Sequence, residues 1–350
     1  MSEDVVVERR GRAGIITLDR PKAMNALTHG MVLAVLDALD AWRDDDAVQT
    51  VVIRGAGDRG LCAGGDVVGL RRGILDGALE ATLRFFHDEY RMDAAVARFP
   101  KPVVTLMDGV VLGGGVGIGG HASHRVVTER SRVGFPEVTI GFAPDVGASW
   151  LLSRPEAGRI GQWMALTGQP IGPAAAIRAG LADQHVPADR LDDLLASLEH
   201  EDADAAIAAL ATEPAAGAGD DVPAAFDEPT VEAVLAALDA GSDAEREAAA
   251  LIRTKSPTGL RVAAEARRRG AELPHLEAAL AQELRIVAHA ITTHDLAEGI
   301  RAQLVDKDRN PRWQPASLAE VADADVDAYF APPPGGDLDL PAPTETRSAS

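Results

Sequence analysis

The sequence predicts an α/β fold over roughly residues 1–200, followed by an α-helical region over 230–330. Three observations carry that reading. Short β-rich runs alternate with helical periodicity and glycine-rich loops as far as residue 200. Between Glu199 and Glu228 the composition shifts to Ala, Asp, Glu, Gly and Pro, and EPAAGAGDDVP carries loop signals, so residues 201–229 read as a linker. Beyond it, every periodic segment is helical.

Taken in order, Val5–Val7 and Ile15–Leu18 are β-rich runs separated by RRGRAG, a hairpin signal. DRPKAMNA (19–26) is a loop. Thr28 is placed to cap a helix running to about Trp42, with Met31, Val32, Val35, Leu36 and Leu39 on one face. Residues 50–54 form a buried strand ending at GAGDRG. A helix is predicted over Leu79–Ala97, carrying Phe85, Phe86, Tyr90 and Met92 with Asp88 and Glu89 among them. A strand over 102–107 breaks into glycines, a short strand follows near 125–128, and a helix covers about 157–166. The later helices are predicted over 230–239, 243–254, 258–269 and 276–292, with Pro257 in the first-turn position of the third. Residues 331–350 are rich in Pro, Gly and Ser and predict a disordered tail.

Composition narrows the function. The 350 residues are 46% hydrophobic and 25% charged, with a formal net charge of −20. That balance argues against a nucleic-acid partner bound through phosphate neutralisation. A local anion site is still compatible with it. No apolar run reaches membrane-spanning length, and MSEDVVVERR lacks a signal-peptide core, so the expectation is a cytoplasmic protein without a membrane partner. Cys62 is the single cysteine, which excludes an intrachain disulfide framework and a CxxC metal site. The nine histidines show no metal-ligand spacing.

Two glycine runs stand out: Cys62-Ala63-Gly64-Gly65-Asp66 and Gly113-Gly114-Gly115. Each follows a strand and stands at a helix entrance, where backbone N–H groups favour negative charge. Without side chains, those N–H groups can approach a carbonyl oxygen and stabilise an oxyanion or enolate. Either run alone reads equally well as turn glycines. Gly115–Gly120 matches GxGxxG, but residues 108–112 intervene after the strand and no acid-ended strand follows about 20 residues on, which disfavours a dinucleotide turn. Glu137 and Asp145 each follow a proline on a stiffened loop, a setting suited to base or nucleophilic work on an acyl group, though each alone also suits a surface turn. Glu89 by itself reads as a solvated helix residue, and Asp66 as a helix cap. Cys62 with His121 or His124 would make a thiol nucleophile and base, but a lone cysteine in CAGG more often packs as a small apolar side chain.

The set DRPKAMNAL (19–27), LCAGGD (61–66), KPVVTLMDGVVLGGGVG (101–117) and PE (136–137) resembles the crotonase, or enoyl-CoA hydratase/isomerase, superfamily. The resemblance implies a spiral of ββα units forming two nearly perpendicular sheets, with the helical region following. It also implies an acyl-CoA ligand, coenzyme A being part of the substrate rather than a cofactor, whose thioester oxygen lies between the N–H groups of Gly65 and Gly114. Ala63, Gly64 and Asp66 would line the CoA site, with Ala63 toward the adenine and Arg20 and Lys22 near the nucleotide phosphates. Hydratases of the superfamily carry a second catalytic glutamate three residues after the oxyanion glycine, and here that position is Gly117. FHDEY (86–90), FPEVTIGFAPDVG (135–147), SPTGL (256–260) and EGIRAQLVDKDRNPRWQP (298–315) resemble the 3-hydroxyisobutyryl-CoA hydrolase subfamily, whose role is in valine catabolism. By that resemblance Glu89, Gly114, Glu137 and Asp145 are the substrate-site positions, and Glu137 and Asp145 carry hydrolysis. A hydratase or isomerase using Glu137 alone and a non-catalytic acyl-CoA-binding protein are the alternatives. The superfamily often forms homo-oligomers, while a long helical C-terminal region can cover the same surface within one chain.

Overall fold

The computed structural model describes residues 3–333 and 335–342. Strands β1 (Val5–Arg10) and β2 (Ala13–Leu18) form the predicted hairpin, turned at Gly11 with φ +55°. The ladder runs from Val5↔Leu18 to Arg10↔Ala13, so both strands are longer than their apolar runs. Antiparallel pairing recruits Glu8 to Arg10 because the outer face of an edge strand can be solvated. Helix α1 (His29–Arg43) starts at Thr28, whose side chain accepts from the Met31 N–H, and buries Met31, Val32, Val35, Leu39 and Trp42.

Next come β3 (Thr50–Gly55), α2 (Val67–Leu75), α3 (Leu79–Ala97), β4 (Val103–Met107), β5 (Val110–Leu112), α4 (Gly114–Gly120), β6 (His124–Val127) and β7 (Arg132–Gly134). A six-stranded sheet has the order β1-β2-β3-β4-β6-β8, where β8 is Gln184–His185; every pairing after the hairpin is parallel. β5 and β7 pair separately, also in parallel. Both glycine runs therefore lie past the carboxyl ends of parallel strands, where α/β proteins place ligands. The GxGxxG run is not a turn: Gly115–Gly120 sits inside α4, where each of these residues is buried.

The remaining helices are α5 (Ala148–Leu151), α6 (Gly158–Thr167), α7 (Pro173–Arg178), α8 (Leu191–Leu198), α9 (Ala203–Ala208), α10 (Val231–Asp239), α11 (Asp243–Arg253), α12 (Pro257–Gly270), α13 (Leu276–Ala290), α14 (His294–Ile300) and α15 (Asp323–Ala328). Ser242 and Glu245 form a capping box on α11, and Ser256 caps α12 ahead of Pro257. Val262, Ala263, Leu280 and Val287 from this region share one hydrophobic cluster with Ile16, Ile53 and Met107, so the helical region completes the core of the α/β part.

Two stretches differ from expectation. Residues 201–229, read as a linker, carry α9 and a 3-10 turn at Ala224–Asp227; Ile207 packs with Val52, Val104 and Leu194, and Phe226 packs with Val234 and Leu238. The alanine-rich composition hid a few well-placed apolar residues. In the expected disordered tail, the described part docks: Leu338 is buried and Asp337 pairs with Arg285 at 2.6 Å. Residues 343–350 of that prediction lie outside the described residues.

Truncation after Ala331 should therefore lower stability by about 2 kcal/mol, the worth of one buried leucine. Thermal denaturation of the truncated chain checks this, and an unchanged melting temperature would mean that the docked segment adds nothing.

Candidate active site

The cleft is built where the two glycine runs meet. Gly64 has φ +104° and Gly113 has φ +51°, conformations that glycine supplies without strain. The Gly65 N–H lies 3.5 Å from where a Cβ on Gly114 would sit. Among the described residues, neither the Gly65 N–H nor the Gly114 N–H donates to an acceptor. Two free N–H groups side by side make a receptor for a carbonyl oxygen.

Carboxyls stand on either side. Glu89, from α3, meets the Gly114 Cα so closely that a side chain at 114 would collide with its Oε1. Glu137 opens a 3-10 turn (Glu137–Ile140), and its Oε1 is 2.6 Å from where a Gly113 Cβ would lie. Asp145 accepts a 2.6 Å hydrogen bond from the Tyr90 hydroxyl. All three acids are buried, and each lines a cleft of about 1250 Å³. That volume exceeds an ordinary drug-sized pocket and suits a long ligand.

Burial dominates their protonation. The Glu137 and Glu89 carboxyls are pushed well above the usual range, first by desolvation and then by the Asp145 charge. Asp145 rises to about 7 by burial, against the stabilising Tyr90 hydroxyl. The site thus mixes neutral and ionised carboxyls near neutrality, the condition for acid and base work side by side.

Ala63, Gly64, Gly65, Asp66, Glu89, Gly114, Glu137 and Asp145 all line the one cleft. Asp66 also caps α2 through the Gly69 N–H and approaches Arg20. Lys22 is not brought in: it sits exposed on a 3-10 turn (Pro21–Ala23), and Met24 lines the cleft instead. Arg20 is engaged by the Ala26 carbonyl, Asp66 and Asp4. Cys62 is buried, with its thiol pushed up to about 12, so it packs rather than attacks. His121 faces the Val146 carbonyl at 2.8 Å, is held neutral by burial with a pKa of about 4, and is no base for it. Among the described residues no group of three or more His, Cys, Asp or Glu is gathered for a metal ion.

Three contributors escaped sequence reasoning. Glu283 on α13 accepts from the Gly147 N–H (2.6 Å), the Ser149 N–H (2.7 Å) and the Ser149 hydroxyl (2.6 Å), anchoring the turn after Asp145. An acid on the apolar face of α13 was the available signal. Asp93 is fully buried, and neither of its oxygens has a hydrogen-bond partner among the described residues. Those oxygens lie 2.9 Å from where a side chain on Gly117 would begin, so Asp93 fills the space that Gly117 leaves. Its i, i+4 spacing from Glu89 was the clue. Lys255 also lines the cleft, and nothing local in the sequence marks it.

Residues 13–330 match a family described as enoyl-CoA hydratase/isomerase. The chain is 36% identical to the mitochondrial 3-hydroxyisobutyryl-CoA hydrolase of Rattus norvegicus over 343 residues, covering 93% of this chain and 88% of that one. It is 34% identical to 3-hydroxyisobutyryl-CoA hydrolase 1 of Arabidopsis thaliana, covering 93% and 91%. Among solved structures, a carnitinyl-CoA dehydratase from Mycobacterium thermoresistibile is 48% identical, with a TM-score of 0.91 and coverage of 96% and 98%.

Asp93 gives a pH test of this electrostatic arrangement. Desolvation, then the charges of Glu89, Asp145 and Glu283, hold its folded pKa well above the ordinary 3.8. Its stability contribution is therefore fully present below that ordinary value and is lost as pH rises toward the folded pKa. Asp93→Asn should raise the melting temperature more at pH 8 than at pH 4. A difference independent of pH would mean that Asp93 is ionised in the fold.

Proposed function

The chain belongs to the enoyl-CoA hydratase/isomerase family, and from that premise we propose that it is an acyl-CoA thioester hydrolase acting on 3-hydroxyisobutyryl-CoA. The observation that carries this reading is the pair of free N–H groups, Gly65 and Gly114, flanked by the Glu137 and Glu89 carboxyls, with no side chain at Gly117. The similarity to 3-hydroxyisobutyryl-CoA hydrolases over nearly the whole chain supports the same substrate, and with it a step in valine breakdown.

In this reading the thioester oxygen accepts from both N–H groups, which stabilise the tetrahedral oxyanion by roughly 3 kcal/mol per donor. Glu137, once ionised, either takes a proton from water or attacks the carbonyl to give a mixed anhydride that water opens. Either route breaks the C–S bond and releases CoA. Asp145 orients the water or the substrate hydroxyl. Glu89, held neutral by burial, donates its proton in a hydrogen bond to that hydroxyl. Elimination of water, as the dehydratase relative suggests by its name, would need a further acid where the chain has Gly117. The single cysteine fits a reducing compartment, whether the cytoplasm or an organelle such as the one named for the rat relative.

Glu137→Gln should cut thiol release from 3-hydroxyisobutyryl-CoA at least about 100-fold while CoA-ester binding persists. Turnover at the wild-type rate would remove Glu137 from the chemistry. Ultraviolet absorbance of an enoyl thioester forming without free thiol would establish elimination instead, and tight binding with neither product a non-catalytic role. The pH profile offers a second check. Ionised Asp145 predicts that kcat/KM rises with pH through about 7. Tyr90→Phe removes the hydroxyl that favours the ionised form, so that limb should move to higher pH; a stationary limb would assign it to another group.

A further inference from the structure

Glu137 reaches the cleft with little around it to orient its carboxyl. Its Oε2 is buried and has no hydrogen-bond partner among the described residues. The carboxyl is therefore aimed by the backbone of its turn. That turn closes at Gly141 in a left-handed conformation, φ +75°, with the Gly141 and Phe142 N–H groups donating to the Glu137 carbonyl. Whatever holds the turn sets where the carboxyl points.

The helical region seats this turn at several points. A side chain on Gly141 would collide with the Asp295 carbonyl and the Trp313 ring. A side chain on Gly299, one turn further along α14, would collide with the Ile140 backbone. Backbone thus packs directly on backbone at both places. The Thr139 hydroxyl accepts from Lys255 at 3.0 Å, and a side chain on Gly259 of α12 would lie 3.2 Å from the Phe142 carbonyl oxygen. One side chain joins these segments to each other. Asp295, only 3% exposed, accepts from the Ser256 hydroxyl at 2.6 Å and from the Gln314 N–H at 2.8 Å. Ser256 in turn caps α12 through the Gly259 N–H at 3.0 Å. Asp295 is not among the residues that line the cleft, so it meets the turn from the side away from substrate.

We propose that Asp295 is a positioning residue for hydrolysis: by joining the start of α12, the start of α14 and the segment at 313–314, it fixes the seat of the Glu137 turn and with it the direction of the Glu137 carboxyl. The proposal rests on the reading of Glu137 as the reacting carboxyl. A buried carboxyl with both oxygens engaged is a directional joint. Misplacing a reacting group by about 1 Å can cost roughly 100-fold in rate, so loss of the joint shows in turnover while the ester still binds.

The test places Asp295→Ala and Asp295→Asn in the wild-type and Glu137→Gln backgrounds. Thiol release from 3-hydroxyisobutyryl-CoA is measured per CoA-binding site, counted by calorimetric titration with free CoA. Asp295→Ala should lower kcat about tenfold with KM within about twofold. Asp295→Asn, whose amide can accept from Gln314 and donate to Ser256, should stay within about threefold of wild type. In the Glu137→Gln background Asp295→Ala should leave the residual rate unchanged, because the group it positions is already inactive. An equal fractional loss in both backgrounds would make Asp295 a support of the fold at large and overturn the proposal, as would no loss in either. Should Asp295→Ala fail to fold, Ser256→Ala removes one donor, keeps the carboxyl and permits the same comparison. Wild-type turnover by Glu137→Gln alone would overturn the reading of Glu137 and the proposal with it. Should wild type release no thiol, crystal structures give the answer: a turn at 137–142 displaced in Asp295→Ala supports the positioning role, and an unmoved turn refutes it.

Discussion

The site depends on one carboxyl that belongs to the helical region. Glu283, fully buried on α13, accepts from the Gly147 N–H, the Ser149 N–H and the Ser149 hydroxyl. The turn it holds includes Val146 at φ +56°, a left-handed conformation that a β-branched residue adopts only under constraint. The His121 ring, 2.8 Å from the Val146 carbonyl, fixes the other side of the same turn. This turn follows Asp145 directly, so the geometry of Asp145 toward Tyr90 and the cleft is set by a residue far along the chain. The helical region is thereby part of the site's construction as well as of the core.

Electrostatics impose the second constraint. Glu89, Asp93, Glu137, Asp145 and Glu283 are all buried; desolvation raises the pKa of each, and for all but Asp145 the charge of a neighbouring acid adds to it. Such a cluster is tolerable only with most of its members neutral. Neutral carboxyls donate as well as accept, so the burial that costs stability also creates the acid and base functions attributed to the site. The glycines at 113, 114 and 117 serve the same arrangement: a side chain at any of them would displace the carboxyl oxygens of Glu137, Glu89 or Asp93 from the places they hold.

Periodicity, caps and turn chemistry are local, and they made the helices at 79–97, 230–239 and 243–253 readable to within a residue or so, along with the Thr28 and Ser256 caps. The glycine runs and the proline-flanked acids were legible for the same reason, since special backbone conformations leave a composition trace. Residues 201–229 and 331–342 misled because docking there relies on single apolar residues, Ile207, Phe226 and Leu338, in otherwise polar or small-residue stretches.

Local pattern was enough for the hairpin, the longer helices, the two strand-to-helix glycine runs and the acids placed on stiff loops, because each follows from contacts within a few residues; the short elements β7, α5, α8, α9, α14 and α15 left no such trace. Tertiary structure alone decided that Asp93 lies against Gly117, that Glu283 anchors the turn beyond Asp145, that Lys255 faces the cleft while Lys22 does not, and which carboxyls keep their protons. Those outcomes depend on burial and on pairings between residues distant in the chain, and desolvation acts on a side chain only once the fold has enclosed it.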